Sequence, residues 1–251
     1  MLSIVIPAHN EEVMIAQAVG SAREAAECVC GEEGFEIIVV NDDSTDRTAE
    51  IARACGARVL DVRRRQIAAV RNEGAKVARG DWFVFLDGDT MMTREALQGA
   101  RQAIEAGAVG GGAGVRFDGV VPLYARLLMP TLSTAFRWFR IAAGCFVYCT
   151  RKDFEAVGGF DERYFASEEI HLSRALRRRG RFVVLRESVL TSGRKTRQYS
   201  VRFMLWTIFR QVLRGPWRAW QGREGLEFWY DAPRESSHEQ NDPHDREQQS
   251  R

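Results

Sequence analysis

Short apolar runs alternate with amphipathic stretches along the first 115 residues. The amphipathic stretches have helical periodicity over about 10 to 15 residues. Strands that alternate with helices of this length predict βαβ units, and therefore an α/β fold. We expect a mostly parallel central sheet with helices on both faces. Five runs have the length and composition of buried strands: LSIVIP, FEIIVV, ARVLDV, DWFVFL and a segment around AVGGGAGV.

The ends of the first helices carry recognisable signals. EEVMIAQAVGSAREAAE is predicted as a helix with acids in its first turn, where they favour the positive end of the helix dipole. STDRTAEIARACG is predicted as a second helix, capped by Ser44 or Thr45 and ended by Gly56. After residue 115 the pattern is less regular. It predicts a strand at CFVYCT, a helix that begins near Glu168 and a strand at RFVVLRE.

Three of the predicted strands end in unusually polar segments. These exits read PAHNEE, NDDSTD and DGDT. Parallel strands bring their carboxyl ends to one edge of the sheet, and that edge is where open α/β sheets bind ligands. The sequence therefore predicts a polar binding site there.

The segment DGDT places Asp87 and Asp89 one residue apart after a buried run. Two such carboxylates repel each other by roughly 1 kcal/mol in water and by more at the edge of a protein. Mg²⁺ or Mn²⁺ would relieve this repulsion, because such ions are commonly held by one or two carboxylates together with substrate phosphates. Gly88 leaves room for a ligand to approach the backbone. An aspartate-rich turn that caps the next helix is the alternative.

Four segments together resemble the successive signatures of glycosyltransferase family 2. They read IVIPAHNEE, VVNDDSTDRT, RNEGAKVARGDWFVFLDGDT and GGFDERYFASEEIHLSRALRRRG, in the family's order, between about Ser3 and Arg186. The resemblance implies the GT-A fold and a metal-dependent enzyme. Such an enzyme moves a sugar, with inversion, from a nucleotide-diphosphate sugar to a hydroxyl of a saccharide or lipid-linked acceptor. A UDP-sugar is the donor we expect.

The resemblance also implies roles for the two acidic pairs. Asp89 would bind the metal directly, and Asp87 would lie near both the metal and the ribose. Glu169 would be the catalytic base that deprotonates the acceptor. The family usually has aspartate at that position, so the choice between Glu169 and Glu168 stays open.

The resemblance also implies which residues bind the nucleotide, and two positions of this chain differ from the family pattern. Asp42 would accept a hydrogen bond from the base. Asp43 stands where the family most often has glycine, and His171 stands where it commonly has another aspartate. His171 is either a partner of the catalytic acids or a polar residue on the helix surface. The implied nucleotide-binding residues are Pro7, Ala8, Asn10, Glu11, Asp42, Arg71, Asp87 and Gly88.

The formal net charge of +2 conceals a strong segregation. Residues 171–223 contain fourteen basic residues and one acid, whereas residues 224–251 contain eight acids and three arginines. The basic, aromatic segment 199–223 is predicted as an amphipathic helix, which fits either an anionic membrane surface or packing on the catalytic domain. The acidic tail 224–251 is predicted to be disordered.

These features divide the chain into a catalytic domain at 1–198, the basic helix and the tail. Within the catalytic domain we expect a nucleotide-binding half at 1–115 and an acceptor-binding half at 116–198. The five cysteines form no zinc-binding pattern, and no signal peptide or uncharged membrane-spanning stretch is evident. We therefore expect a cytoplasmic protein, with peripheral attachment to the inner face of the membrane if 199–223 binds lipid.

Four other functions fit these features less well. A haloacid dehalogenase-type phosphohydrolase places its aspartate motif on an opening strand, and a nucleotidyltransferase carries a loop rich in glycine and arginine after its first strand. Neither feature is present here. A non-catalytic nucleotide-binding or membrane-associated protein would follow if the glutamate at 169 disabled the site. No nucleic-acid partner is expected, because the base-stacking aromatic residues of a known module are not evident.

Overall fold

The computed structural model describes residues 1–118, 134 and 137–192. The strands within these residues are β1 (Leu2–Ala8), β2 (Phe35–Asp42), β3 (Arg58–Val62), β4 (Trp82–Leu86), β5 (Thr90–Met91), β6 (Gly110–Phe117), β7 (Phe146–Thr150) and β8 (Phe182–Thr191). The helices are α1 (Ile15–Cys30), α2 (Thr48–Ala54), α3 (Ile67–Val77), α4 (Arg94–Glu105), α5 (Arg151–Ala156) and α6 (Glu168–Arg179).

All of these strands join one mixed sheet in the order β3-β2-β1-β4-β7-β6-β8-β5. The first four strands of that order are mutually parallel, as the alternating pattern predicts. Strand β7 then runs antiparallel to both β4 and β6, and β5 runs antiparallel to β8. The parallel half therefore brings the polar exits of β1, β2 and β4 to one edge, while the other half is mixed.

Helices cover both faces of the sheet, which confirms the predicted α/β architecture. Helices α1 and α4 pack on one face through residues such as Val19 and Leu97. Helices α3 and α6 pack on the other face through Val70 and Leu172, among others. A cluster of aromatic rings supports that second face. It comprises Phe83, Phe85, Phe154 and Phe160, with neighbouring centroids 4.8 to 6.0 Å apart.

Two predicted helix starts are wrong. Helix α1 begins at Ile15, so no acid lies in its first turn. Helix α2 has Arg47 at its N-cap position rather than Ser44 or Thr45. The latter two residues instead bond to the loop that follows β1, and this tertiary contact outweighs local capping. Gly56 follows the end of α2 with a φ of 78°, as the sequence predicts.

Several predictions concern segments outside the described residues. They are the basic helix at 199–223, the acidic tail at 224–251 and part of the acceptor-binding half at 116–198, namely residues 119–133, 135–136 and 193–198. None of the described helices combines the length and the apolar character that crossing a bilayer requires.

Candidate active site

The exits of β1, β2 and β4 meet at the predicted edge of the sheet. The amide of Asn10 donates to Ser44 Oγ at 3.0 Å, and Asn10 Oδ1 accepts from the amide of Thr45 at 2.8 Å. Gly88 lies so close to β1 that an added Cβ would sit 3.2 Å from the carbonyl oxygen of Pro7. Three loops that are far apart in the sequence therefore form one surface.

Left-handed backbone conformations shape two of these loops. Asn10 has a φ of 52° and Asp43 a φ of 56°, in the region that favours glycine. Asparagine and aspartate tolerate this region better than other residues with side chains do. The left-handed backbone at Asp43 explains why the family most often has glycine at this position. Aspartate adopts the same conformation here.

Asp42 is buried at the end of β2, and its carboxylate is already bonded to the loop after β3. Oδ1 accepts from the amide of Arg64 at 2.7 Å, and Oδ2 accepts from the amide of Arg65 at 2.8 Å. A carboxylate has about four acceptor positions, so these bonds leave capacity for a base. Asp42 therefore orders this arginine loop, a role that sequence patterns did not indicate. Its contact with the nucleotide stays a prediction.

Arg71 lies at the centre of the site, and its side chain is only 2% exposed. Nη1 donates to Glu168 Oε1 at 2.6 Å, while Nη2 donates to Asp87 Oδ1 at 2.7 Å and to the carbonyl oxygen of Gly144 at 2.8 Å. The guanidinium also lies over the ring of Phe160, 5.2 Å from its centroid. One buried cation therefore connects the end of β4 with the start of α6.

The electrostatics of this cluster keep Arg71 charged. Burial lowers the pKa of Arg71, but the carboxylates of Asp87 and Glu168 outweigh burial and raise it above its ordinary value. A guanidinium suits this position because its planar fork can bond to several acceptors at once. The predicted nucleotide-binding role of Arg71 stays untested, and the structure gives this residue a second role as a buried connector.

The two aspartates after β4 lie on one turn. The amide of Thr90 donates to the carbonyl oxygen of Asp87 at 3.0 Å, and the carbonyl oxygen of Asp89 accepts from Ser192 at 3.1 Å. Both aspartates are partly exposed. Burial, followed by these two carboxylates, raises the pKa of the Cys145 thiol well above its ordinary value. Negative potential is therefore concentrated at this turn.

The donor set at this turn fits a hard divalent cation that is shared with a substrate. Among the described residues, no group of three or more His, Cys, Asp or Glu side chains could hold a metal ion by itself. Two carboxylate oxygens on one turn match the way Mg²⁺ is held, by one or two carboxylates together with phosphates and water. Asp87 and Asp89 would therefore supply only some of the ligands of such an ion, and substrate phosphates and water would supply the others.

Glu168 and Glu169 form the first turn of α6, which follows Ser167 in a left-handed conformation. Burial raises the pKa of Glu168, and Arg71 opposes this effect. Burial, and then the charge of Glu168, raises the pKa of Glu169 to about 8. Glu169 is nevertheless partly exposed to solvent. A carboxylate with such a pKa is a strong proton acceptor once it is ionised.

Gly144 was not identified from the sequence, yet it contacts both halves of the site. Its carbonyl oxygen accepts from Arg71, and an added Cβ would lie 3.4 Å from Glu169 Cδ. The absence of a side chain thus leaves space beside the predicted base. A glycine before the strand CFVYCT was the only available signal, and it is a weak one.

His171 lies on α6 two residues after Glu169. Its ring stacks on Tyr164 with centroids 3.7 Å apart and an interplanar angle of 17°. Burial, and then the charge of Arg174, lowers the pKa of His171. The stacking gives this residue a packing role on the helix.

Comparisons with known proteins agree with this arrangement. Glycosyl transferase family 2 matches residues 3–159 of the chain. The undecaprenyl-phosphate 4-deoxy-4-formamido-L-arabinose transferase of Pseudomonas aeruginosa is 34% identical over 105 residues, which are 39% of this chain and 30% of that protein. The matched segments make up 28 to 35% of three such curated relatives, so the chain spans about a third of their length.

Two solved structures share the fold. The mannosyltransferase PcManGT from Pyrobaculum calidifontis, in complex with GDP-Man and Mn²⁺, superposes with a TM-score of 0.64 at 19% identity over 84% of this chain and 60% of that one. S. aureus TarS 1-349 in complex with UDP-GlcNAc gives a TM-score of 0.59 at 18% identity over 84% and 64%. The predicted GT-A fold is thereby confirmed, and the chain belongs to glycosyl transferase family 2.

Proposed function

We propose that this protein transfers a sugar from a nucleotide-diphosphate sugar to an acceptor hydroxyl, with inversion and with the help of a divalent metal ion. The observation that carries the proposal is the position of Arg71, which connects Asp87 on the donor side with Glu168 beside the predicted base. An aspartate pair and a proton acceptor are thereby brought into one cluster. Both are needed if the donor and the acceptor are to react directly.

On the donor side, the exits of β1, β2 and β4 would hold the nucleotide. Asn10, Glu11 and Asp42 line this edge, and Gly88 lets the diphosphate approach the backbone. Asp89 and Asp87 would hold Mg²⁺ or Mn²⁺, which when bound offsets the charge that develops on the departing diphosphate. A UDP-sugar is the donor we propose, because TarS binds UDP-GlcNAc on the same fold and because Asp42 could accept from the N–H of uracil.

On the acceptor side, Glu169 would act as the general base. Its carboxylate takes the proton of the acceptor hydroxyl while the hydroxyl oxygen attacks the anomeric carbon from the face opposite the diphosphate. The bond between that carbon and the diphosphate oxygen breaks, and the nucleoside diphosphate leaves with both electrons. One displacement of this kind inverts the configuration at the anomeric carbon.

The acceptor is a saccharide or a lipid-linked molecule. The P. aeruginosa relative is named as a transferase that acts on undecaprenyl phosphate, which favours a lipid-linked acceptor for this chain as well. Peripheral attachment to the inner face of a membrane would suit such an acceptor.

Donor binding and transfer can be tested separately. Donor binding can be measured in a thermal-shift screen of UDP- and GDP-sugars with Mn²⁺. A UDP-sugar should raise the melting temperature of the parent protein, because a ligand that binds only the folded state stabilises it. Asp89→Asn should lose the part of this shift that depends on Mn²⁺, whereas Glu169→Gln should keep the shift and lose transfer. The control is Asp81→Asn, an exposed aspartate that precedes β4, at the opposite end of that strand from Asp87 and Asp89. Full activity of Asp89→Asn, or of the parent after exhaustive EDTA treatment, would contradict the metal role.

A further inference from the structure

Two largely exposed aromatic residues lie close in the chain to the acceptor side of the site. Trp138 is 83% exposed and Phe139 is 60% exposed. Among the described residues, Met1 is the other large hydrophobic residue that is exposed to a comparable degree, at 43%. Adjacent exposed aromatic rings of this size indicate an interaction surface rather than ordinary surface composition.

Arginines follow this aromatic pair in the chain and lie on α6, the helix that bonds to it. Arg140 follows it directly, and the exposed residues Arg174, Arg177 and Arg178 of α6 lie three or four positions apart, so that they share one face of the helix. Within the described part of the chain, none of these four arginines has an acidic partner within salt-bridge distance. The surface formed by Trp138, Phe139 and these four arginines, here called the Trp138 surface, is therefore both apolar and cationic.

Hydrogen bonds attach the aromatic segment to α6. Arg177 Nη1 donates to the carbonyl oxygen of Phe139 at 2.6 Å. Three residues further along, the amide of Ala142 donates to Ser173 Oγ at 3.1 Å in a buried contact. The aromatic segment is therefore attached to the helix whose first turn carries the predicted base.

The Trp138 surface is close to the acceptor side in two ways. Gly144, which contacts Arg71 and lies beside Glu169, comes five residues after Phe139 in the chain. Glu169 precedes Arg177 by eight positions on α6, a distance of about 12 Å along the helix axis at the usual rise per residue. A partner that binds this surface would therefore lie near the predicted catalytic base.

We propose that the Trp138 surface docks on an anionic phospholipid bilayer. Trp and Phe rings insert at the level of the lipid headgroups, and arginines beside them bind the headgroup phosphates. Exposed aromatic rings, together with arginines that have no acidic partner among the described residues, match both parts of such an interface. The purpose of docking rests on the proposed function, because it would bring a lipid-linked acceptor to Glu169. The docking itself requires neither donor nor acceptor.

Vesicle flotation of the full-length chain tests this proposal. The protein should float with vesicles of phosphatidylglycerol and phosphatidylcholine, and float poorly with phosphatidylcholine alone. Arg174→Gln/Arg178→Gln should lower the partition coefficient by about 25-fold, at about fivefold for each basic residue near an anionic surface. Trp138→Ala/Phe139→Ala should lower it by about tenfold or more, through the loss of buried apolar area.

The matched control is Arg94→Gln/Arg101→Gln. It removes two exposed arginines of α4, which packs on the face of the sheet opposite to α6, and it should leave flotation unchanged. All three variants should keep the parent's melting temperature and its donor-induced thermal shift. Flotation therefore tests membrane docking, while the thermal shift tests donor binding independently.

Two results would overturn the docking proposal. One is flotation of both surface variants at the level of the parent protein. The other is binding of the parent to nucleic acid, but not to anionic vesicles, with the arginine variant losing that binding. The second result would assign the same arginines to a different partner.

Discussion

Arg71 and Glu168 are joined by a 2.6 Å bond between Nη1 and Oε1, with side chains that are only 2% and 6% exposed. Arg71 comes from α3 and Glu168 from α6, 97 positions apart in the chain. The same guanidinium bonds to Asp87 at the end of β4. The geometry of the donor side and that of the acceptor side therefore depend on one side chain.

Replacing Arg71 by methionine should destabilise the protein strongly. Methionine fills much of the volume but leaves the buried carboxylate of Glu168 without its cation, a change that typically costs about 3–5 kcal/mol in the free energy of unfolding. Chemical denaturation measures the effect. Arg47→Met is the matched control, because its partner Glu50 and Arg47 itself are 69% and 66% exposed. Such exposed pairs contribute little to stability, so Arg47→Met should unfold like the parent protein. Equal stability of Arg71→Met and the parent would contradict this account of the cluster.

The pH dependence of transfer should identify the base. With a pKa of about 8, Glu169 is mostly protonated at neutral pH, so kcat/KM should rise with pH along a limb centred near that value. Glu169→Gln should remove both the limb and most of the activity while keeping the donor-induced thermal shift. If Glu168→Gln instead abolishes transfer with donor binding intact, the base is Glu168.

The raised pKa of Glu169 also predicts how the free energy of unfolding depends on pH. In the folded state the pKa of Glu169 is raised to about 8, so the folded protein retains a proton that the unfolded chain loses near its ordinary value of 4.5. The resulting stabilisation is present below that ordinary pKa and is lost as the pH rises towards 8. Glu169→Gln does not titrate. The variant should therefore gain stability relative to the parent as the pH rises, as urea denaturation at several pH values would measure.

The sequence predicted the polar edge of the sheet well, but not the connections within it. Apolar periodicity is a local property, and it located the strands that lead to Asn10, Asp42 and Asp87. The antiparallel insertion of β7 and the contact of Arg71 with α6 depend on packing between distant segments. Ser44 illustrates the limit, because a local capping pattern competes there with a tertiary bond to Asn10. The sequence around Gly144 did not indicate its importance, because its role is to leave space beside Glu169.

Two helical glycines should respond to alanine with opposite signs. A Cβ at Gly74 of α3 would lie 2.8 Å from Val40 Cγ2 and even closer to Val5, so overpacking should cost about 1–3 kcal/mol and outweigh the gain in helix propensity. Gly20 of α1 is exposed and has open space around it. Gly20→Ala should therefore stabilise the protein by about 0.5–1 kcal/mol. Thermal or urea denaturation of the two variants compares them directly, and stabilisation by Gly74→Ala would contradict the close packing of α3 on the sheet.

Replacing Gly144 by alanine should alter the base without unfolding the protein. The added Cβ would sit 3.4 Å from Glu169 Cδ, an ordinary contact, and the backbone at Gly144 is not left-handed, so stability should change little. The methyl group excludes water from the carboxylate and should raise the pKa of Glu169, because burial already raises it. The rising limb of kcat/KM should move to higher pH, and activity near neutral pH should fall by about tenfold through lost ionisation and displacement of the base. In a Glu169→Gln background the same substitution has no carboxylate to act on, so it should leave the residual pH profile unchanged. A limb that stays in place in Gly144→Ala would show that this glycine does not influence the base.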